Sequence, residues 1–125
     1  MIYIYVGIGG FFGASLRYLV GIFLSEPDRW FPYSTLFVNL TGSFILSWFT
    51  IEIIEKYSLS SKWKAALGTG LVGSYTTFST LSMDAVHLYE RGDLLLSLSY
   101  IILSIFGGFF LSWLGHFVGD RRMAT

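Results

Sequence analysis

Four apolar runs separated by short charged clusters constrain the fold of this chain more than any other feature. Apart from Arg17, the charged side chains fall in or near residues 26–29, 52–64, 84–93 and 120–122. The apolar runs lie near residues 2–24, 33–54, 65–88 and 94–117. Each is close to the roughly 20 residues that a helix needs to cross about 30 Å of hydrocarbon. We therefore predict an all-α membrane protein in which residues 1–125 form a single domain of four transmembrane helices.

Composition supports a membrane location and excludes several functions. The chain is 54% hydrophobic and its mean hydropathy is +0.63, which is more apolar surface than one soluble core of this size could hide. Because the runs nearly exhaust the chain, no soluble catalytic domain fits, and we expect no enzyme. The net charge is zero and no large basic patch occurs, so nucleic acid is not an expected partner. We predict a multi-pass protein of the plasma or inner membrane, surrounded by lipid.

The second run carries a polar stripe that recurs every fourth residue. Its members are Thr35, Asn39, Ser43 and Ser47. This spacing places them along one helix face, where hydrogen bonding between helices is one interpretation. Asn39 favours a functional interpretation, because an asparagine near the middle of a span brings two N–H donors and is harder to satisfy by accident than a hydroxyl.

Small residues at four-residue spacing predict two closely packed helix faces. They are Gly9 with Gly13 and Gly10 with Ala14 in the first run, and Ser104, Gly108 and Ser112 in the fourth. Patterns of this kind let a second helix backbone come close.

Arg17 stands about two turns from the end of the first run. At that depth its side chain must reach the interface, pair with another group or face a water-filled cavity. In a cavity it would be a fixed positive charge that raises the local concentration of anions.

The third run contains a stretch, GLVGSYTTFSTLS at residues 70–82, that is rich in glycine and hydroxyl side chains. Gly73 and Ser74 precede the adjacent β-branched Thr76 and Thr77, a combination that weakens a helix. We predict a break at mid-membrane around residues 73–76, where freed backbone groups would line a cavity or coordinate an ion. An intact helix with small residues for packing is the alternative.

Phe78 follows the predicted break and is surrounded by hydroxyl side chains. An aromatic ring has a positive edge as well as a negative face. Ring edges together with amide and hydroxyl donors would suit a small anion that must replace its hydration shell.

Three stretches together resemble one family of membrane proteins. GGFFGASLRY near the start, TLFVNLTGSF in the second run and GLVGSYTTFSTL in the third are similar to the small fluoride channels of the Fluc, or CrcB, family. The likeness continues in register over all four runs. The resemblance implies a fluoride-selective channel that lets cytoplasmic fluoride leave passively, built from two subunits packed antiparallel with ion pathways along their interface.

The resemblance also implies residue roles by position. Asn39 would donate to fluoride and Phe78 would present a ring edge to it. The hydroxyls expected along the pathway are those of Thr77, Ser79, Thr80, Tyr100 and Ser112. The backbone carbonyls of Gly73 and Thr76 would hold a structural sodium ion at the dimer centre, and Arg17 matches an arginine of the family.

Two positions depart from the family pattern. Ser74-Tyr75 stands where many members have Gly-Phe, and Leu81 stands where a second phenylalanine is expected, which removes one ring edge per subunit. A small multidrug-type cation exporter and a non-transporting membrane scaffold are the alternative functions. The exporter requires a carboxylate in the first helix, where this chain has Arg17, and a scaffold leaves Asn39 unexplained.

The basic residues are unevenly divided between the two ends of the predicted bundle. Lys56, Lys62, Lys64, Arg121 and Arg122 fall on the side of the termini, against Arg29 and Arg91 opposite. By the positive-inside rule the termini should lie in the cytoplasm. An antiparallel dimer then needs a partner of opposite preference, so a heterodimer with a paralogue is predicted beside the homodimer.

Overall fold

The part of the chain that the structure, a computed structural model, describes consists of helices joined by short non-helical segments. That part comprises residues 1–24, 30–55 and 58–123. Its α-helices are α1 (Ile2–Phe23), α2 (Tyr33–Phe49), α3 (Ser61–Lys64), α4 (Gly73–Tyr75), α5 (Phe78–Glu90) and α6 (Leu94–Met123). A π-helical segment, Thr50–Glu55, extends α2, and a second one, Ala65–Val72, joins α3 to α4.

Three of the predicted spans are helices long and apolar enough to cross a membrane. They are Ile2–Phe23, Tyr33–Glu52 and Leu94–Arg121. The remaining span, predicted over residues 65–88, consists of two shorter helical pieces, residues 61–75 and residues 78–90. The predicted boundaries of the first span are confirmed, whereas α6 continues beyond residue 117 to Met123.

Helix α1 packs along the π-helical segment that begins the third span, and glycines bring the two backbones together. A Cβ atom on Gly9 would collide with the Ala66 carbonyl, and one on Gly13 would collide with the Leu71 carbonyl. The third span also contributes a glycine to this contact, since a Cβ on Gly70 would lie 2.6 Å from the Val6 carbonyl oxygen. The predicted small-residue face of α1 is therefore confirmed.

Helix α2 packs along α6 through a second set of glycines. A Cβ on Gly115 would collide with the Phe44 carbonyl, and one on Gly119 would lie 3.0 Å from Ile51 Cβ. Gly108, which the sequence placed on the close-packed face, would make only an ordinary contact of 3.7 Å with Ser43 Oγ. A Cβ on Gly107 would lie 2.9 Å from Leu40 Cδ2, so the close contacts use Gly107, Gly115 and Gly119 instead of the predicted row.

Helices α5 and α6 form a hairpin around the buried core. The turn requires glycine because Gly92 has φ +88°, a conformation that other residues rarely adopt. Phe31, Ala85, Leu88 and Tyr100 make up the buried apolar cluster. Ser97 Oγ donates to the Ala85 carbonyl at 2.7 Å, which ties the two helices beside that cluster. One end of the third span is thereby anchored to α6, and the other end to α1.

Replacing Gly13 by valine should lower the free energy of unfolding, because a side chain there forces two packed backbones apart. Overpacking of this kind costs roughly 1–3 kcal/mol. Gly7→Val is the matched control, since a Cβ on Gly7 would meet nothing within 4 Å. Thermal unfolding of the purified protein in detergent measures the difference; equal midpoints for the two variants would contradict the assigned contact.

Candidate functional site

The third span is interrupted at two residues, Thr76 and Thr77. Both have extended backbones, with φ −76° and ψ 160° at Thr76 and φ −151° and ψ 122° at Thr77. The Thr76 N–H still donates to the Val72 carbonyl at 3.1 Å, so helical pairing is lost at Thr77. The predicted break exists, but Gly73 is itself helical, and the interruption begins at the last residue of the predicted range.

Asn39 on α2 supplies the hydrogen bonds that the break removes from Thr77. The Thr77 N–H donates to Asn39 Oδ1 at 2.8 Å, and Asn39 Nδ2 donates to the Thr77 carbonyl at 2.9 Å. The side-chain amide thus pairs with both backbone groups of one residue. This role satisfies the requirement that irregular backbone at membrane depth be paired within the protein.

The hydroxyl side chains that follow the break cap helix α5. Thr77 Oγ1 accepts a hydrogen bond from the Thr80 N–H at 3.2 Å and donates to Thr80 Oγ1 at 3.0 Å. Ser79 Oγ lies 3.4 Å from Thr77 Oγ1. An oxygen at this position satisfies one of the N–H groups that a helix start leaves unpaired. Part of the hydroxyl content of this stretch therefore serves the local fold.

Arg17 points at the break instead of reaching for the membrane surface. Its Nη1 donates to the Thr76 carbonyl at 3.4 Å. It also lines a cavity of about 200 Å³. The other lining residues are Gly21, Ser34, Thr35, Val38, Thr77 and Thr80. The cationic side chain is thus held beside the interruption, in a cavity rich in hydroxyl groups.

A second cavity, of about 290 Å³, lies beside the break and contains both Asn39 and Phe78. Gly42, Ser43, Leu46, Thr76, Thr77 and Leu81 complete its lining. Phe78 is 82% exposed, so this cavity is open at the outer surface of the chain. Thr77 lines both cavities and therefore stands between them.

Neither Tyr100 nor Ser112 is among the residues that line these two cavities. Tyr100 is fully buried; its hydroxyl donates to Asp84 Oδ2 at 3.3 Å, and its ring meets Phe31 edge to face. Ser112 is half-buried on α6, one turn beyond Gly108. Within the chain these two side chains do not join Asn39 and Phe78, and their place on a pathway stays a prediction.

Residues on α2 next to Asn39 contribute contacts that the sequence did not single out. A Cβ on Gly42 would collide with Thr76 Cγ2, and the Thr41 hydroxyl lies 3.0 Å from the Tyr75 hydroxyl. The spacing of Asn39 and Gly42 on one helix face is compatible with a shared neighbour. Only the folded structure shows that this neighbour is the break at Thr76 and Thr77.

The chain is similar to proteins described as CrcB-like and as fluoride channels. The model of the family described as "CrcB-like protein, Camphor Resistance (CrcB)" matches residues 4–116. The chain is 46% identical to "Fluoride-specific ion channel FluC 2" of Geobacillus kaustophilus, over 93% of this chain and 91% of the relative. It is 47% identical to "Fluoride-specific ion channel FluC 1" of Desulfitobacterium hafniense, over 83% and 90% of the two chains.

Replacing Asn39 by leucine should loosen the break, because the N–H and the carbonyl of Thr77 lose their partners together. Each buried polar group left unpaired costs roughly 1–3 kcal/mol. We expect faster amide hydrogen exchange at Thr77 and a lower unfolding midpoint. Ser43→Ala is the control, since the Ser43 hydroxyl donates to the Asn39 carbonyl of its own helix, at 2.9 Å, and not to the break. Unchanged amide hydrogen exchange at Thr77 in Asn39→Leu would contradict the assigned pairing of Asn39 with the Thr77 backbone.

Proposed function

Since the chain belongs to the CrcB-like family, whose similar members are named fluoride-specific ion channels, we propose that it is a fluoride channel. It is a multi-pass membrane protein and not an enzyme. The observation that carries the proposal is the pair of cavities that meet at Thr77. They bring a fixed cation, an amide, several hydroxyls and an exposed phenyl ring together.

These groups suit a small anion. In the described residues, neither cavity is lined by an acidic side chain, so no fixed negative charge repels fluoride. Arg17 would raise the local anion concentration. Hydroxyl donors and the edge of the Phe78 ring would replace water around the ion. One N–H of Asn39 binds the Thr77 carbonyl, and the second N–H is the donor that we assign to the passing anion.

A passive pore is sufficient for this function. Hydrogen fluoride crosses bilayers as the neutral acid and ionises in a less acidic cytoplasm, which traps the anion. A membrane potential that is negative inside then drives fluoride outward by about 2.3 kcal/mol per 100 mV. Exit through the channel relieves fluoride toxicity without any energy-coupling machinery.

The complete pathway requires a second subunit packed antiparallel to the first. The exposure of Phe78 supports a second subunit, because a ring that is 82% exposed lines only one side of the cavity, and the family resemblance implies the antiparallel orientation. A facing subunit would close that cavity. Tyr100 and Ser112 would then extend the track along α6, as the family resemblance implies.

A structural sodium ion at the break is compatible with the residues present. The Thr77 N–H donates to Asn39, so the Gly73 carbonyl loses the partner that a continuous helix would give it. Carbonyl oxygens are suitable ligands for a hard cation. The Thr76 carbonyl oxygen accepts a hydrogen bond from Arg17 and would also be a ligand of the ion. Bound there, sodium would supply positive charge that holds the freed carbonyls together.

The test of function is efflux from liposomes loaded with fluoride or chloride and containing this chain, alone or co-expressed with a paralogue. We expect fluoride efflux and background chloride efflux. Phe78→Leu should slow fluoride efflux roughly two- to tenfold, the equivalent of an aromatic interaction of about 0.5–1.5 kcal/mol. Phe11→Leu is the control, since Phe11 is exposed on α1. Equal permeation of both anions would contradict fluoride selectivity.

We further propose that a paralogue is the better partner. Leu81 lines the same cavity as Phe78, which supports a missing ring edge on the proposed pathway. Four of the basic residues on the side of the termini belong to described helices, namely Lys62, Lys64, Arg121 and Arg122. On the opposite side, Arg91 Nε lies 3.9 Å from Asp93 Oδ2. Arg29 and Lys56, which the charge comparison also used, lie outside the described residues.

The heterodimer proposal predicts negligible fluoride efflux from the chain alone and restored efflux with the co-expressed paralogue. It also predicts that Leu81→Phe raises the efflux of the chain alone, because the variant regains the ring edge. Leu46→Phe is the control, since Leu46 lines the same cavity but no ring is expected there. Robust efflux from the unmodified chain, little improved by Leu81→Phe, would establish the homodimer instead.

A further inference from the structure

Three consecutive residues at the break each contact a residue within one turn of α2. Tyr75, the last residue of α4, meets Thr41 through its hydroxyl. The methyl group of Thr76 occupies the space above Gly42, and Thr77 is paired with Asn39. We call Asn39, Thr41 and Gly42 the α2 cradle. It holds the end of one half-helix and the interruption that follows.

The direction of the Tyr75 hydrogen bond follows from counting protons. Thr41 Oγ1 lies 2.7 Å from the Phe37 carbonyl and 3.2 Å from the Val38 carbonyl, so its single hydrogen is used within α2. The Tyr75 O–H is therefore the donor in the 3.0 Å contact with Thr41 Oγ1. Such a bond is stronger in the interior than in water because the local dielectric constant is low.

Open space lies beside the Tyr75 ring. One side of it faces an apolar cavity of about 210 Å³. The other residues lining this cavity are Leu16, Val20, Ile45, Leu71 and Val72. A ring with free space beside it can adopt other rotamers unless a directional contact selects one. The hydrogen bond to Thr41 supplies that contact.

We propose that Tyr75 and Thr41 are positioning residues for conduction, because their hydrogen bond sets where Thr76 and Thr77 stand between the two cavities. Only two residues separate Tyr75 from helix α5, and an extended pair spans at most about 7 Å. A displacement of Tyr75 therefore displaces Thr77 as well. The proposal rests on the proposed channel function and adds two residues to the set that determines it.

The experiment compares Tyr75→Phe, Thr41→Val and the double variant in whichever dimer conducts. Each single variant should slow fluoride efflux roughly two- to tenfold, the rate equivalent of one hydrogen bond. The double variant should be no slower than the singles, since both remove the same bond. Thr41→Ser keeps the hydroxyl and should conduct as the wild type does. Amide exchange at Thr77 should rise in the variants that lack the bond.

Two matched controls separate the hydrogen bond from general effects. Tyr18→Phe removes a hydroxyl from an exposed tyrosine of α1. Thr50→Val removes a hydroxyl that donates to the Leu46 carbonyl one turn before it, at 2.7 Å. Both should leave efflux and Thr77 exchange unchanged.

Unchanged efflux in Tyr75→Phe and Thr41→Val, or losses that add in the double variant, would overturn the proposal. A wild-type protein without fluoride efflux in any dimer would instead contradict the channel function. In that case, amide hydrogen exchange at Thr77 still decides whether Tyr75 and Thr41 position the break.

Discussion

The pairing of the Thr77 backbone with the Asn39 side chain is the interaction on which the rest of the site depends. Hydrocarbon offers no hydrogen bonds, so a helix that crosses a bilayer can be interrupted only where other protein groups replace the lost ones. Asn39 provides an acceptor for the N–H of Thr77 and a donor for its carbonyl. This single side chain makes an extended dipeptide tolerable at that depth, and the two cavities beside it follow from that irregular backbone.

The glycine face of α1 brings a charged group to the same place. Gly13 lies against the Leu71 carbonyl, which puts the α1 backbone next to the third span. Arg17 stands one turn further along the same helix face and reaches the Thr76 carbonyl. A larger residue at position 13 would move the guanidinium away from the break. Packing and electrostatics at this site therefore share one cause, the absence of a side chain at Gly13.

The helical fold, the break and the small-residue face of α1 could be predicted because each depends on local sequence. Apolar length decides which runs are spans, and Gly73 followed by two β-branched threonines weakens a helix wherever it lies. The partners of the break could not be predicted in this way. Asn39 gave a signal as a polar residue in an apolar run, but its bonds to Thr77 depend on how α2 crosses the third span. The position of Tyr100 could not be predicted either, because its burial beside Phe31 and Asp84 follows from tertiary contacts alone.

The interruption also separates two packing units. The first half of the third span lies against α1, through Gly9, Gly13 and Gly70. The second half is tied to α6 through Ser97 and the Gly92 turn. Thr76 and Thr77, which are not helical, connect these halves, and the helical hydrogen bonding that stiffens a continuous helix is interrupted there. In mechanical terms they form a hinge whose stiffness is set by side chains of α2. Tilting of one unit against the other would change the torsions at the hinge first, and with them the shape of both cavities.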